Sequence, residues 1–246
     1  MNKKVLIAAP IGGLKQYSIN EWFNWIAKQT YENFDVCICT NGKESPELLK
    51  KLDQTEIYHK TRTKKIISLD LINSDELSIV QKITYSREKI RRYAVENNYD
   101  YIFFLDTDTI PLFANTIQRL IDWKKPCVSG LYFYKGTKQP VVIDATTQTN
   151  ISLDLCEKVA NEKGLIAVWG FGFGCLLLDR SVFAECEFDY DLFGEERTDD
   201  FGYCHVMEQK GMLRWFDPSI ICLHLADEFK PKTMNAGFFK VKHTKD

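Results

Sequence analysis

Two aspartates one residue apart follow a run of five apolar residues, Tyr101–Ile102–Phe103–Phe104–Leu105 and then Asp106–Thr107–Asp108. A short apolar run bounded by a turn reads as a buried strand, and the acids then sit at the carboxyl edge where open α/β sheets bind ligands. In a continuing strand, residues two apart face the same side, so Asp106 and Asp108 could approach one divalent cation or one nucleotide. Oxygen donors of this kind suit Mg²⁺ or Mn²⁺. The plainer reading is a turn, because Asp is a common turn residue and a loop begins at Thr109 to Pro111. Two uncompensated carboxylates at such an edge repel each other, which favours a ligand over a turn.

A second acidic group, Glu195–Glu196–Arg197–Thr198–Asp199–Asp200, precedes Phe201–Gly202–Tyr203–Cys204. Thr198 is a good helix cap and acids are favoured in a first turn, so capping accounts for part of this cluster. An excess of acids remains, and Asp199 and Asp200 are candidates for a general base. A third element, Asp217–Pro218–Ser219–Ile220–Ile221–Cys222–Leu223–His224, is an apolar run that delivers one imidazole at its end. A lone histidine is more often a hydrogen-bonded structural residue than a ligand, so His224 gains a metal reading only beside the other two groups.

The elements that would position these residues alternate. Lys4 to Ala9 is a β-rich run entering a loop at Pro10, Gly12 and Gly13. Ser18 three residues before Glu21 predicts a capping box, and Ile19, Trp22, Phe23 and Ile26 recur with helical spacing. Asp35 to Thr40 is a second buried run ending at Asn41–Gly42, which completes a βαβ order and predicts a right-handed parallel crossover. A weaker run at Ile66–Leu69 and a helix near Ile79 to Asn97 lead to the strand before Asp106. After Pro111 a helix through Ile117, Leu120 and Ile121 precedes strand-like segments at Val128–Tyr134, Val141–Ile143 and Ala167–Leu178.

The 246 residues carry 45% apolar and 27% charged side chains, an ordinary globular balance, so disorder is not the default. One domain, 1–246, is expected, with a nucleotide-binding half at 1–110, a second half at 111–225 and a basic tail or flap at 226–246. A formal net charge of −2 gives no reason to expect nucleic acid as a partner. No apolar run is long enough to span a membrane and the N-terminus lacks a signal-peptide core, so a cytoplasmic protein is expected, with peripheral membrane contact allowed. Of the eight cysteines, Cys37, Cys39, Cys127, Cys175 and Cys222 lie in apolar runs and are expected as reduced core thiols.

Taken in order, the three acidic and histidine elements resemble glycosyltransferases of the A-type fold, in particular the large inverting family that includes cellulose- and polysaccharide-synthesising enzymes. The resemblance covers most of the chain. It implies an α/β, Rossmann-like fold with a mostly parallel central sheet flanked by helices. It also implies a metal-dependent, hexosyltransferase-type activity on a nucleotide-sugar donor, UDP- or GDP-linked, with a carbohydrate, lipid-linked or protein acceptor.

Carried onto this sequence, the resemblance makes Asp106 and Asp108 the acids that hold Mn²⁺ or Mg²⁺ and the donor, with His224 completing the metal shell. Asp200 becomes the base, with Asp199 as its alternative, and inversion at the anomeric carbon follows from one direct displacement. Arg87 would lie near the donor, Pro10 and Asn41 near base and ribose, and Trp169 to Cys175 would form the acceptor loop. Departures are an Asp199–Asp200 pair in place of Glu–Asp, and Lys43 after Asn41–Gly42. Two other readings compete: a sugar-phosphate nucleotidyltransferase, for which Gly12–Gly13–Leu14–Lys15 is only a fragment of the required loop, and a non-catalytic carbohydrate- or nucleotide-binding protein that stacks ligands on Trp169, Phe171, Phe173 and Tyr132.

Overall fold

The computed structural model describes residues 3–12, 17–41, 45–53, 55–59, 62–71, 76–193 and 198–225. The fragment Gly13–Lys15, the Gly42–Lys43 pair, residues 195–197 and the basic tail all lie outside them. The first half runs β1 (Val5–Ile11), α1 (Ile19–Ala27), β2 (Phe34–Thr40), α2 (Ser45–Asp53), β3 (Glu56–His59), β4 (Arg62–Asp70), α3 (Ile79–Glu96) and β5 (Tyr101–Phe104). The second runs β6 (Thr109–Pro111), α4 (Thr116–Asp122), β7 (Cys127–Leu131), β8 (Val142–Asp144), α5 (Leu153–Asn161), β9 (Ile166–Phe171), β10 (Leu176–Asp179), α6 (Arg180–Phe183), α7 (Tyr190–Phe193), α8 (Asp199–Gln209) and β11 (Arg214–His224).

These strands form one sheet in the order β3-β4-β2-β1-β5-β10-β7-β11-β9-β8, with β6 added against β11. The ladders β4-β2, β2-β1 and β1-β5 are parallel, as is β7-β11, while β10 runs against both β5 and β7. β5, β7 and β11 therefore share a direction, and their carboxyl ends lie along one edge. A mostly parallel sheet needs cover on both faces, which is why β1 reads as a continuous apolar run. Alternation along it feeds two core layers: Val5, Ile7 and Ala9 pack with Trp22 and Ile26 of α1, whereas Leu6 and Ala8 pack with Cys37, Cys39 and Ile90 of α3. All eight cysteines are free and buried.

Three local expectations are corrected. β1 continues through Pro10 to Ile11, because its ladder with β5 stops at Ala8 and a proline N–H is not needed on that side. Ser18 makes no side-chain cap on α1; its hydroxyl instead hydrogen-bonds the Thr107 hydroxyl at 3.3 Å, tying the helix start to the Asp106–Asp108 loop. The strand expected over Ala167–Leu178 is broken into β9 and β10 by a single 3-10 turn, Phe173–Cys175. Gly172 and Gly174 permit the break, since a Cβ at Gly172 would lie 1.8 Å from the Tyr132 hydroxyl and one at Gly174 2.8 Å from Thr109 Oγ1.

Among the described residues no helix is long and apolar enough to cross a membrane. The tight approach at Gly172 sets a testable limit. Gly172→Ala is expected to destabilise the protein by about 2 kcal/mol or more through overpacking against Tyr132 and Val141, read as a lowered urea midpoint with an unchanged slope.

Candidate functional site

The run Phe103–Leu105 does not continue as a strand, and this decides where the two acids go. After β5 the chain turns, with Thr109 N–H donating to Asp106 O at 2.8 Å, so the strand alternation that would set Asp106 and Asp108 on one face ends before them. The turn is held from three sides. Trp22 Nε1 donates to Leu105 O at 2.9 Å, Asp106 N–H to Gly174 O at 3.2 Å and Leu225 N–H to Asp108 O at 2.8 Å.

Asp106 faces α3. Arg87 Nη2 donates to Asp106 Oδ1 at 3.0 Å, while Nη1 of the same guanidinium donates to Asp199 Oδ2. The Arg87 side chain is only 4% exposed and its guanidinium lies 4.8 Å from the Phe173 ring centre. A buried guanidinium needs anionic partners, and its fixed fork suits two carboxylates approaching from different directions. The pairing brings the first acidic group and the start of α8 together.

Asp199 and Asp200, adjacent on α8, point different ways, as successive helical residues do. Asp199 is committed to Arg87. Thr198 holds N-cap backbone geometry but its side chain does not cap; the hydroxyl donates to Asp200 Oδ1, which also accepts the Phe201 N–H at 2.8 Å. Burial pushes the Asp200 carboxyl above the ordinary carboxylate value, against these hydrogen bonds and the nearby Arg87 charge. A carboxylate so raised is a better proton acceptor at neutral pH.

Asp108 is fully buried at the opposite side of the turn. The antiparallel pairing of β6 with β11 sets His224 opposite Thr109, and places His224 Nε2 3.5 Å from Asp108 Oδ2. His224 Nδ1 lies 2.8 Å from Phe133 O, a carbonyl that can only accept, so Nδ1 carries a proton, and in the singly protonated tautomer that this contact selects Nε2 is the acceptor nitrogen on the side of Asp108. This is the tautomer a metal-binding imidazole needs, held by the kind of backbone contact that orients such ligands. A carboxylate oxygen and an imidazole nitrogen at this separation can share a divalent cation. Among the described residues no group of three or more His, Cys, Asp or Glu side chains converges, so these two would need further oxygens from water or ligand phosphate.

At the carboxyl ends of β1 and β2, Asn41 follows β2 directly, with its N–H on Ile11 O at 3.0 Å and its side-chain amide on Ser86 Oγ at 3.0 Å. Pro10 is buried one strand away. Asp70, at the end of β4, accepts from Thr40 Oγ1 at 2.9 Å and stands beside these positions; sequence reasoning passed over it because the Ile66–Leu69 run gave no sign of where it ended.

Of the aromatic residues read as stacking surfaces, Phe171, Phe173 and Tyr132 are core. Trp169 is half-buried and stacks on Phe201, ring centres 6.2 Å apart, near the start of α8. The Tyr132 hydroxyl accepts the Gly174 N–H at 3.1 Å and its ring meets His224 edge-on at 5.5 Å, so it fixes both the turn after β9 and the histidine. Sequence reasoning missed Lys135 altogether. Its ammonium lies 3.0 Å from Asp108 Oδ2, and Asp108 and the Tyr17 hydroxyl hold it above the usual lysine value in spite of burial. In Tyr134–Lys135–Gly136–Thr137 it reads as an ordinary solvated turn residue.

The central pairing yields a stability expectation. Arg87→Met should cost about 3 kcal/mol, since it leaves Asp106 and Asp199 without their shared cation in a largely buried place. Adding Asp106→Asn to the Arg87→Met variant should recover part of that loss, because one of the two charges left without a cation is removed; a double variant no more stable than Arg87→Met would mean packing alone is responsible.

No family model and no curated protein matches this chain. Solved structures do match in shape. The crystal structure of A197 from STIV aligns over 98% of this chain and 100% of its own, with a TM-score of 0.52 and 13% identity. GalNAc-T7, solved with UDP, GalNAc and Mn²⁺, aligns over 91% of this chain with a TM-score of 0.66 and 13% identity. TarS from S. aureus aligns over 82%, with a TM-score of 0.50 and 12% identity. The chain spans 44% of the GalNAc-T7 chain and 33% of the TarS chain. With its α/β order, its mostly parallel sheet and these neighbours, the chain has the A-type glycosyltransferase fold.

Proposed function

We propose that this protein is a glycosyltransferase that moves a sugar from a nucleoside-diphosphate donor to an acceptor hydroxyl, with Asp108 and His224 holding Mn²⁺ or Mg²⁺ and Asp200 acting as base. The observation that carries the reading is the division of labour made by Arg87. It engages Asp106 and Asp199 and leaves the neighbouring Asp200 as a carboxylate with raised proton affinity, at the sheet edge where Asp108 faces His224. The likeness to GalNAc-T7, solved with UDP, GalNAc and Mn²⁺, supports the donor class and the cation.

In this reading the nucleoside lies along the ends of β1, β2 and β4, near Pro10, Asn41 and Asp70. The base is that of a UDP- or GDP-sugar. When bound, the cation supplies Lewis-acid neutralisation of the charge that builds on the departing diphosphate. Asp106 would meet the ribose, or a water on the cation, while its contact with Arg87 keeps it in place. The acceptor, a carbohydrate or a lipid-linked or protein hydroxyl, enters past Trp169 and Phe201. As its oxygen bonds to the anomeric carbon, its proton passes to Asp200, and the bond from that carbon to the phosphate oxygen breaks with its electron pair leaving on the diphosphate. One displacement from the opposite face inverts the anomeric configuration.

Two variants separate binding from chemistry. Asp108→Ala should abolish Mn²⁺-dependent binding of the donor in a protein that still folds, measured by titration calorimetry; Mn²⁺-dependent affinity equal to the parent's would remove Asp108 from the cation site. Asp200→Asn should keep donor binding while transfer falls by roughly 10²–10⁴-fold. Because the base must be ionised, the acid limb of the parent's pH–rate profile should lie above the ordinary carboxylate value of about 4, with activity lost as pH falls through the raised pKa. A parent limb at or below that value, or an Asp200→Asn enzyme of full activity, would assign the base elsewhere.

A further inference from the structure

One charged group in this region has no part in the reaction described above. Lys135 stands on the turn between β7 and β8, and its ammonium contacts Asp108 Oδ2, the same oxygen that faces His224 Nε2. It also donates to the Tyr17 hydroxyl at 3.1 Å, and that hydroxyl donates to Leu225 O at 3.2 Å. Leu225 N–H donates back to the Asp108 carbonyl, which closes a ring of contacts around one buried carboxylate. Four segments meet in that ring: the turn after β5, the end of β11, the start of α1 and the β7–β8 turn. Lys135 is also 38% exposed, so a ligand can reach it from solvent.

We propose that Lys135 is a diphosphate-binding residue that shares the Asp108 carboxylate with the divalent cation. Its ammonium neutralises Asp108 when no metal is there and turns onto the diphosphate when metal and donor enter. The inference rests on the glycosyltransferase reading for its ligand, but its physical basis is separate. A cation held by Asp108 and His224 would share with the ammonium the one carboxylate oxygen that both face, and like charges so close disfavour each other. A lysine can resolve that conflict by moving, since it is a compact charge on a flexible four-carbon stem and binds phosphate as a point charge. The incoming diphosphate brings negative charge to the same place.

The test is Lys135→Met, with Lys158→Met on the exposed face of α5 as a control for net charge. Two equilibria are measured: Mn²⁺ alone by electron paramagnetic resonance, and inorganic pyrophosphate in the presence of EDTA by calorimetry. Removing Lys135 should tighten Mn²⁺ and weaken pyrophosphate, each by about ten-fold, the usual scale of one neighbouring charge; the control should change neither. Opposite signs are what a merely structural lysine would not give. Mn²⁺ affinity unchanged or weakened, or pyrophosphate affinity unchanged, overturns the proposal.

A second measurement needs no variant. In the parent protein, acetylation of Lys135 followed by mass spectrometry should accelerate on adding Mn²⁺ alone and slow again on adding pyrophosphate with Mn²⁺. A rate indifferent to both ligands overturns the proposal even if Lys135→Met fails to fold. Absence of the opposite signs in an enzyme that still transfers sugar sinks only the Lys135 inference. Opposite signs in a protein that turns over no nucleotide sugar sink the transferase reading and leave a cation and diphosphate site in place.

Discussion

A single guanidinium holds the acidic groups of this protein in one place. Arg87 is nearly buried, and a buried arginine is tolerated only where anions meet it. Its partners are 19 and 112 residues away in the chain, so the helix start at Asp199 must return to the loop at Asp106 whatever the intervening residues do. The same contact decides which member of the Asp199–Asp200 pair is committed to structure. A lysine could not replace it, because a point charge has no fork with which to hold two carboxylates along separate directions beside the Phe173 ring.

Much of the frame was legible in the sequence because its signals are strong and local. Continuous apolar runs at Val5 and Asp35 gave two central parallel strands, and helical spacing at Ile19 to Ile26 and Ile79 to Asn97 gave the helices that cover them. The strand before Asp106 and the imidazole at the end of an apolar run were legible for the same reason. Boundaries set by tertiary contact were not. Nothing local distinguishes Ser18 as a helix cap from Ser18 as a partner for Thr107, since the hydroxyl suits both. The break between β9 and β10 depends on Tyr132, some forty residues earlier, filling the space over Gly172 and Gly174.

Within the site, types and spacing identified which residues carry charge but not how those charges are shared. Period-two alternation put Asp106 and Asp108 on one face, and the turn at Thr109 sends them to different partners. The separation is electrostatically sensible, because each acid acquires its own cation: a guanidinium on one side, an ammonium on the other. Lys135 left no trace in the sequence, since a lysine beside a glycine at positive φ has the composition of any hairpin turn.

The antiparallel strand β10 has a consequence for how the chain is made. It supplies the second neighbour of β5, so residues 101–104 are paired on one side by β1 and on the other by residues 176–179. A nascent chain leaves the ribosome with β1, β2, β4 and β5 able to assemble early but with the edge of β5 open until β10 has emerged. The next strand outward, β7, is translated before β10 yet cannot join the sheet ahead of it. That interval exposes an apolar strand edge of the kind that pairs with other chains. Slow translation between β5 and β10 would lengthen the exposure, whereas a chaperone covering that edge would shorten it.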